Sequence, residues 1–194
     1  MKVHFTGSNY KLSEHLPQYK KIIDLLKADG HTLTREWIEE DLEQKKRKEP
    51  YSIEEYRDIW KKVKASIMEA DVVVIEAWNN SFSIGYQTAY ALSHKKPTLV
   101  LTPANLHTKL SHTIIAGEDN PFLFMRHYTD ENLPGILQEF LTMFQVNTKD
   151  MRFNMFIDRE TQVYLDMEAY KTGKTKAKII RDMIKREINN NNGL

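Results

Sequence analysis

The sequence predicts an α/β domain built on a parallel sheet, followed by a small basic unit of different pattern. Three observations carry this. Strand-like apolar runs alternate with helix-like periodicity as far as residue 146. Val72, Val73, Val74 and Ile75 stand together, and four consecutive β-branched residues suit a strand buried on both faces. The charge divides unevenly: residues 1–150 hold 19 Lys and Arg against 21 Asp and Glu, whereas residues 151–194 hold 9 against 6. The last proline is Pro134, so the basic segment is also proline-free.

Taken in order, Lys2-Val3-His4-Phe5-Thr6 reads as a short strand broken by Gly7-Ser8-Asn9. Leu16, Ile22, Ile23, Leu25 and Leu26 predict a helix that ends near Gly30, and His31–Thr34 a second strand. Residues 35–50 are polar and read as a solvated loop; a phosphate-binding patch at Lys45-Lys46-Arg47-Lys48 is the alternative. Ser52 with Glu55 forms a capping-box pattern that opens a helix through Tyr56, Ile59, Trp60, Val63 and Ile67. Asp71–Ala77 is the clearest strand, followed by a helix over 83–94, strands at 97–101 and 121–125, and a closing helix over 133–146. The whole predicts a Rossmann-like parallel sheet with flanking helices. Ligands of such sheets sit beyond the carboxyl ends of the strands, which directs attention to the loops at 6–10, 76–83 and 102–111.

Residues 147–150 read as a linker. Residues 152–157 alternate with period 2, placing Phe153, Met155 and Ile157 on one face. Asp158 is positioned to cap a helix over 159–172, Gly173 to end it, and Thr175 to cap another over 176–188. Residues 189–194 read as a flexible tail.

Composition excludes several chemistries. The 194 residues include no cysteine, which removes disulfides, thiolate metal sites and a Cys nucleophile. No apolar run reaches the roughly 18–20 residues of a membrane span, and the first residues do not begin a signal peptide, so a cytoplasmic protein without a membrane partner is expected. His107 and His112 lack the i, i+4 spacing of a helical metal pair; neither a metal nor a cofactor is expected. Trp78, beside a site loop, is a candidate for stacking on a base.

One strand and two helices in about 40 residues bury too little to stand alone. Residues 151–188 resemble a ribbon-helix-helix module of the Arc/MetJ type, in which two strands pair across a dimer and enter the major groove of DNA. The resemblance makes Arg152, Asn154 and Phe156 the groove-facing positions, and Lys174, Thr175 and Lys176 the phosphate contacts. Phe156 either meets a thymine methyl or marks a module kept only for dimerisation.

The block Glu69–Gln87 resembles the nucleoside 2-deoxyribosyltransferase superfamily, and within it the Rcl-type 2'-deoxynucleoside 5'-monophosphate N-glycosidases. Phe5-Thr6-Gly7-Ser8, Ala89-Tyr90-Ala91-Leu92, Lys96-Pro97, Leu110-Ser111-His112 and Ala116-Gly117 extend the likeness over most of residues 1–146. It implies cleavage of an N-glycosidic bond through a sugar of oxocarbenium character. It also implies a glutamate after Gly-Tyr that stabilises or traps the sugar, an aspartate assisting the leaving base, and a tyrosine near the first strand. Here those positions hold Gln87, Val63 (with Asp58 nearby) and His4. A neutral amide cannot serve as a carboxylate nucleophile. The expected ligand-binding residues are Gly7, Ser8, Asn9, Trp78, Ser81, Gly85, Gln87 and Ser111, the last reaching a neighbouring subunit. Gln87, Glu76 and His4 are expected to line the pocket.

The reading that combines both parts is a homodimeric DNA-binding regulator. Its catalytically degenerate body would sense a nucleotide or related phosphorylated molecule. The alternatives are an N-glycosidase or deoxyribosyltransferase, with Glu76 replacing the lost carboxylate, and an oligomer-forming structural protein.

Overall fold

The computed structural model describes residues 1–46, 49–79, 81–106, 114–145 and 155–191. The chain divides into two compact units, Met1–Val146 and Asn147–Leu194. In the first, five strands form one sheet: β1 (Lys2–Gly7), β2 (Thr32–Leu33), β3 (Val72–Glu76), β4 (Thr98–Pro103) and β5 (Leu123–Tyr128). The order is β2-β1-β3-β4-β5 and every pairing is parallel. Helices α1 (Leu12–Ala28), α2 (Trp37–Lys46), α3 (Ile53–Glu69), α4 (Phe82–Ser93) and α5 (Leu133–Phe144) complete the unit.

Successive strand residues face opposite sides of a sheet, and β3 shows this cleanly. Val72 and Val74 pack into a core with Phe5, Leu12, Tyr19, Ile22 and Leu137. Val73 and Ile75 enter a second core with Val63, Ile67, Ile84 and Ala91. Every residue of β3 is buried, which accounts for its unbroken β-branched run. In β1, Val3 and Phe5 join the first core, and the polar His4 and Thr6 occupy the alternate positions.

Local signals set several boundaries. Ser52 and Glu55 make the reciprocal capping box at the start of α3. After α1, Gly30 takes φ +79°, a conformation that costs a residue bearing Cβ. The expected loop at 35–50 is instead largely α2. Its buried positions are Trp37, Ile38, Asp41 and Gln44, a helical spacing whose inward face is half polar and so gives no apolar stripe.

In the second unit, α6 (Arg159–Thr172) is capped by the Asp158 carboxylate, which accepts from Thr161 N–H at 2.7 Å. Gly173 at φ +65° closes it. The last helix, α7 (Lys176–Asn191), runs past the predicted end at 188. Among the described residues no helix is long and apolar enough to cross a membrane.

The ribbon of the expected ribbon-helix-helix is not shown, although its two helices are. Met155–Ile157 forms no strand; Arg152 and Asn154 lie outside the described residues. Phe156 is fully exposed. Lys174 and Lys176, expected to offer their backbone amides to a phosphate, carry side chains that pair with Asp182 and Asp166 of the same helix pair. Thr175 N-terminally flanks α7 and its hydroxyl accepts from Lys178 N–H at 3.3 Å.

Gly7 is required for space. A Cβ there would lie 2.6 Å from Tyr19 Cζ. That ring is buried, and its hydroxyl is held between Ser8 O and the Trp78 indole. Gly7→Ala is therefore expected to destabilise the first unit by roughly 1–3 kcal/mol. Urea unfolding should show a lower midpoint at unchanged slope; a midpoint equal to the parent's would contradict the packing argument.

Candidate active site

The strand order reverses between β1 and β3, and a cleft of about 400 Å³ opens beside this point. That size suits a small-molecule site. The β1–α1 loop contributes Gly7, Ser8 and Asn9, and the start of α4 contributes Ser81, Ser83 and Ile84. His4 and Thr6 rise from β1, and Gln87 lies one turn further along α4. Because β1 alternates, His4 and Thr6 point to the α3 and α4 side, away from the Phe5 core.

His4 is 1% exposed. Its Nδ1 lies 2.7 Å from Ser66 Oγ on α3, and its Nε2 lies 3.4 Å from Gln87 Oε1. A carbonyl oxygen only accepts, so Nε2 carries the proton and donates, and Ser66 donates to Nδ1. Burial lowers the His4 pKa to about 4, and the nearby Arg35 guanidinium disfavours its cation further. His4 is thus a neutral donor that pins Gln87 by its oxygen, leaving the Gln87 amide N–H₂ as the end available to the cleft.

The other wall comes from α2 and α3. Arg35 donates to Glu40 at 2.7 Å, and Lys62 sits 3.7 Å from the same carboxylate. The Arg35 hydrogen bond holds the Glu40 carboxyl below the usual range. Asp41 is 7% exposed and receives the Asn9 side-chain N–H at 3.1 Å. Glu55, Asp58 and Val63 of α3 also border the cleft, as do Tyr51 and Tyr56, whose rings lie 5.2 Å apart.

Several expected site residues are elsewhere. Glu76 shares the face of Val72 and Val74, so the strand period turns it away from this cleft. It is 1% exposed, accepts from Tyr128 O–H at 2.7 Å and from Trp78 N–H at 3.3 Å. Burial pushes its pKa up to about 7. Trp78 does not border the cleft: its ring stacks on His15 at 3.6 Å and its indole N–H donates to Tyr19 O–H at 3.0 Å. Gly85 does not border it either; Ser111 lies outside the described residues. Sequence reasoning missed Arg35, Glu40, Asp41 and Lys62, because the segment that carries the first three reads as a loop.

His4 and Glu76 shift in opposite senses, and their effects on stability oppose each other. Below 6.5 the unfolded His4 takes a proton that the folded one refuses until about pH 4, so its contribution falls as pH falls. Between 4.5 and about 7 the folded Glu76 keeps a proton that the unfolded one releases, so its contribution falls as pH rises. Glu76→Gln should leave a stability that climbs with pH between about 4 and 6.5. His4→Asn should leave one that declines between 4.5 and about 7. Denaturant titrations at stepped pH measure both slopes; matching slopes in the two variants would disprove the assignment.

No protein-family profile matches the chain. The chain is 32% identical over 146 residues to a 2'-deoxynucleoside 5'-phosphate N-hydrolase 1 named in Nematostella vectensis, covering 73% of this chain and 94% of that one. It is 33% identical over 78 residues to a 5-hydroxymethyl-dUMP N-hydrolase of Branchiostoma floridae, covering 40% and 74%. The structure of a Clostridium botulinum CMP N-glycosidase shares the fold at a TM-score of 0.50 and 13% identity, over 72% of this chain and 99% of that one. These relatives carry hydrolase and glycosidase names, and nothing in them speaks for DNA binding. They overturn the expectation of a DNA-binding transcriptional regulator with a pseudoenzyme body. On the strength of 32% identity across nearly the whole of a relative, the chain belongs to the 2'-deoxynucleoside 5'-phosphate N-hydrolase family.

Proposed function

We propose that the chain is an N-glycosidase that hydrolyses the bond between base and sugar in a 2'-deoxynucleoside 5'-monophosphate. The observation that carries this is the cleft beside the β1–β3 reversal. It gathers the Gly7–Asn9 loop, the first turn of α4 and a wall of carboxylates in one small-molecule-sized space. The relatives named for this reaction supply the substrate class.

Each part has a role in this reading. Ser81 and Ser83 at the start of α4, with the Gly7–Asn9 loop, receive the 5'-phosphate; helix amino termini favour anions. Tyr51 and Tyr56 give the base an aromatic surface. As the C1'–N bond breaks, its electron pair leaves with the base and positive charge develops on the sugar. Carboxylates at the cleft wall stabilise that charge most effectively where water is excluded. Gln87 takes no covalent role, since its amide is held by His4 as a hydrogen-bonding group.

Chromatography of a panel of deoxynucleoside monophosphates, ribonucleoside monophosphates and unphosphorylated nucleosides tests the proposal. Free base should appear with the deoxynucleoside monophosphates. The unphosphorylated nucleosides should react at least about tenfold less efficiently, because each lost hydrogen bond to a charged group is worth roughly 1.5–3 kcal/mol. Ser81→Ala should raise KM for the phosphorylated substrate and narrow that difference. Release of no base from any monophosphate would reject the reading.

A further inference from the structure

We propose that Arg35 is a catalytic residue of this site: its guanidinium donates to the atom of the base on which negative charge gathers as the C1'–N bond breaks. The proposal rests on the N-glycosidase reading and names the group that assists the departing base.

The fold brings Arg35 to the end of the cleft that holds Gln87. Thr34 N–H donates to Val3 O of β1 at 3.0 Å, and the Thr34 hydroxyl is hydrogen-bonded to Ser66. Ser66 in turn bonds His4 at 2.7 Å, and His4 lies 3.4 Å from Gln87. The residue after Thr34 is therefore anchored beside His4, close enough for its guanidinium to disfavour the imidazolium. Arg35, His4 and Gln87 border the same cleft.

The hydrogen bonding of this wall is incomplete. Only 12% of the Arg35 side chain is exposed. Its Nη2 donates to Glu40 at 2.7 Å, while the buried Nε–H finds no acceptor among the described residues. The indole N–H of Trp37, a cleft residue 8% exposed, is a second buried donor in the same condition. Leaving such donors unpaired is costly, and an acceptor on a ligand offsets the cost. Charge points the same way. Arg35 and Lys62 share the one carboxylate of Glu40, so this cluster holds one positive charge in excess. The neighbouring carboxylates Asp41 and Asp58 are bonded to Asn9 and Lys61. An acceptor that turns negative during the reaction suits Arg35, and Tyr51 and Tyr56 border the same cleft.

In the reaction the C1'–N electron pair moves onto the base and spreads over its ring nitrogens and carbonyl oxygens. Arg35 stays protonated, and its hydrogen bond strengthens as that charge grows, which stabilises the transition state more than the substrate. Water adds its oxygen to C1' and releases one proton; the base anion takes up one proton from solvent. One water is consumed, and one free base and one sugar phosphate are made. A guanidinium does not release its proton in a protein, so the assistance is electrostatic.

The test uses the full chain and 2'-deoxyuridine monophosphates carrying methyl, hydrogen or fluorine at C5, in order of improving leaving base. Arg35→Gln should lower kcat for the unsubstituted compound about 100-fold or more. The loss should be about fivefold smaller with the fluoro compound, because a better leaving group needs less help. Arg35→Lys keeps the charge without the planar fork and should fall between parent and Arg35→Gln. Arg57→Gln, which removes an exposed guanidinium of α3 paired with Glu54, should react as the parent does. A residue that only shapes the cleft would lower all three rates by one factor. Such an equal loss, or no loss, would overturn the assignment while the N-glycosidase reading stands. If the Arg35 variants fail to fold, the parent decides: its rates should depend less on the leaving base than hydrolysis of the same nucleotides in hot water, and an equally steep dependence overturns the assignment. A parent protein that releases no base would overturn both.

Discussion

The parallel register of β1 against β3 is the constraint on which the site depends. Val3 pairs with Val72 and Gly7 with Glu76, so the two central strands present matched faces. One face carries Val3, Phe5, Gly7, Val72, Val74 and Glu76; the other carries His4, Thr6, Val73 and Ile75. A slip of one residue would exchange these sets and move His4 into the Tyr19 core. The apolar residues make that slip costly, and the polar ones inherit their positions from it. The polar side chains of the cleft are therefore placed in part by hydrophobic alternation.

The two buried titratable groups follow from the same division. His4 and Glu76 sit on opposite faces of neighbouring strands, and each stays neutral where its solvent-exposed counterpart would titrate. Burial is the common cause: it disfavours imidazolium on one side and carboxylate on the other. Neutral His4 orients Gln87. Glu76, through Trp78 N–H and Tyr128 O–H, fixes the start of the β3–α4 loop. Trp78 in turn supports Tyr19, whose hydroxyl donates to Ser8 O at 2.8 Å. The two site loops are thus braced from the face opposite the cleft, and residues that look like ligand contacts from the sequence act as supports.

The second unit stands apart in composition and in pattern. Its helices bury Leu165 and Ile179, while Val163, Tyr164, Met167 and Ile184 remain exposed on the pair. Asp158 and Gly173 were readable as helix ends because caps are local chemistry. The ribbon strand was a different kind of inference. Alternation over Phe153, Met155 and Ile157 needs a partner strand to mean anything, and no pairing is present for Met155–Ile157 among the described residues.

The sequence by itself determined the parallel α/β body, the capping box of Ser52 and Glu55, and the buried β3 run, because periodicity and caps act over a few residues. It also identified Gly7, Ser8, Asn9, Ser81 and Gln87, which the cleft brings together. Only the tertiary structure decided what surrounds them. The helix α2 was hidden because Asp41 and Gln44 occupy two of its inward positions, which erases the apolar stripe that marks a helix. Arg35, Glu40 and Asp41 therefore had no address until α2 was placed over the sheet. The turn of Glu76 away from the cleft was equally invisible, since it depends on which face of β3 meets α1. Local propensity names the elements; the pairing of strands and the seating of helices choose which polar groups meet.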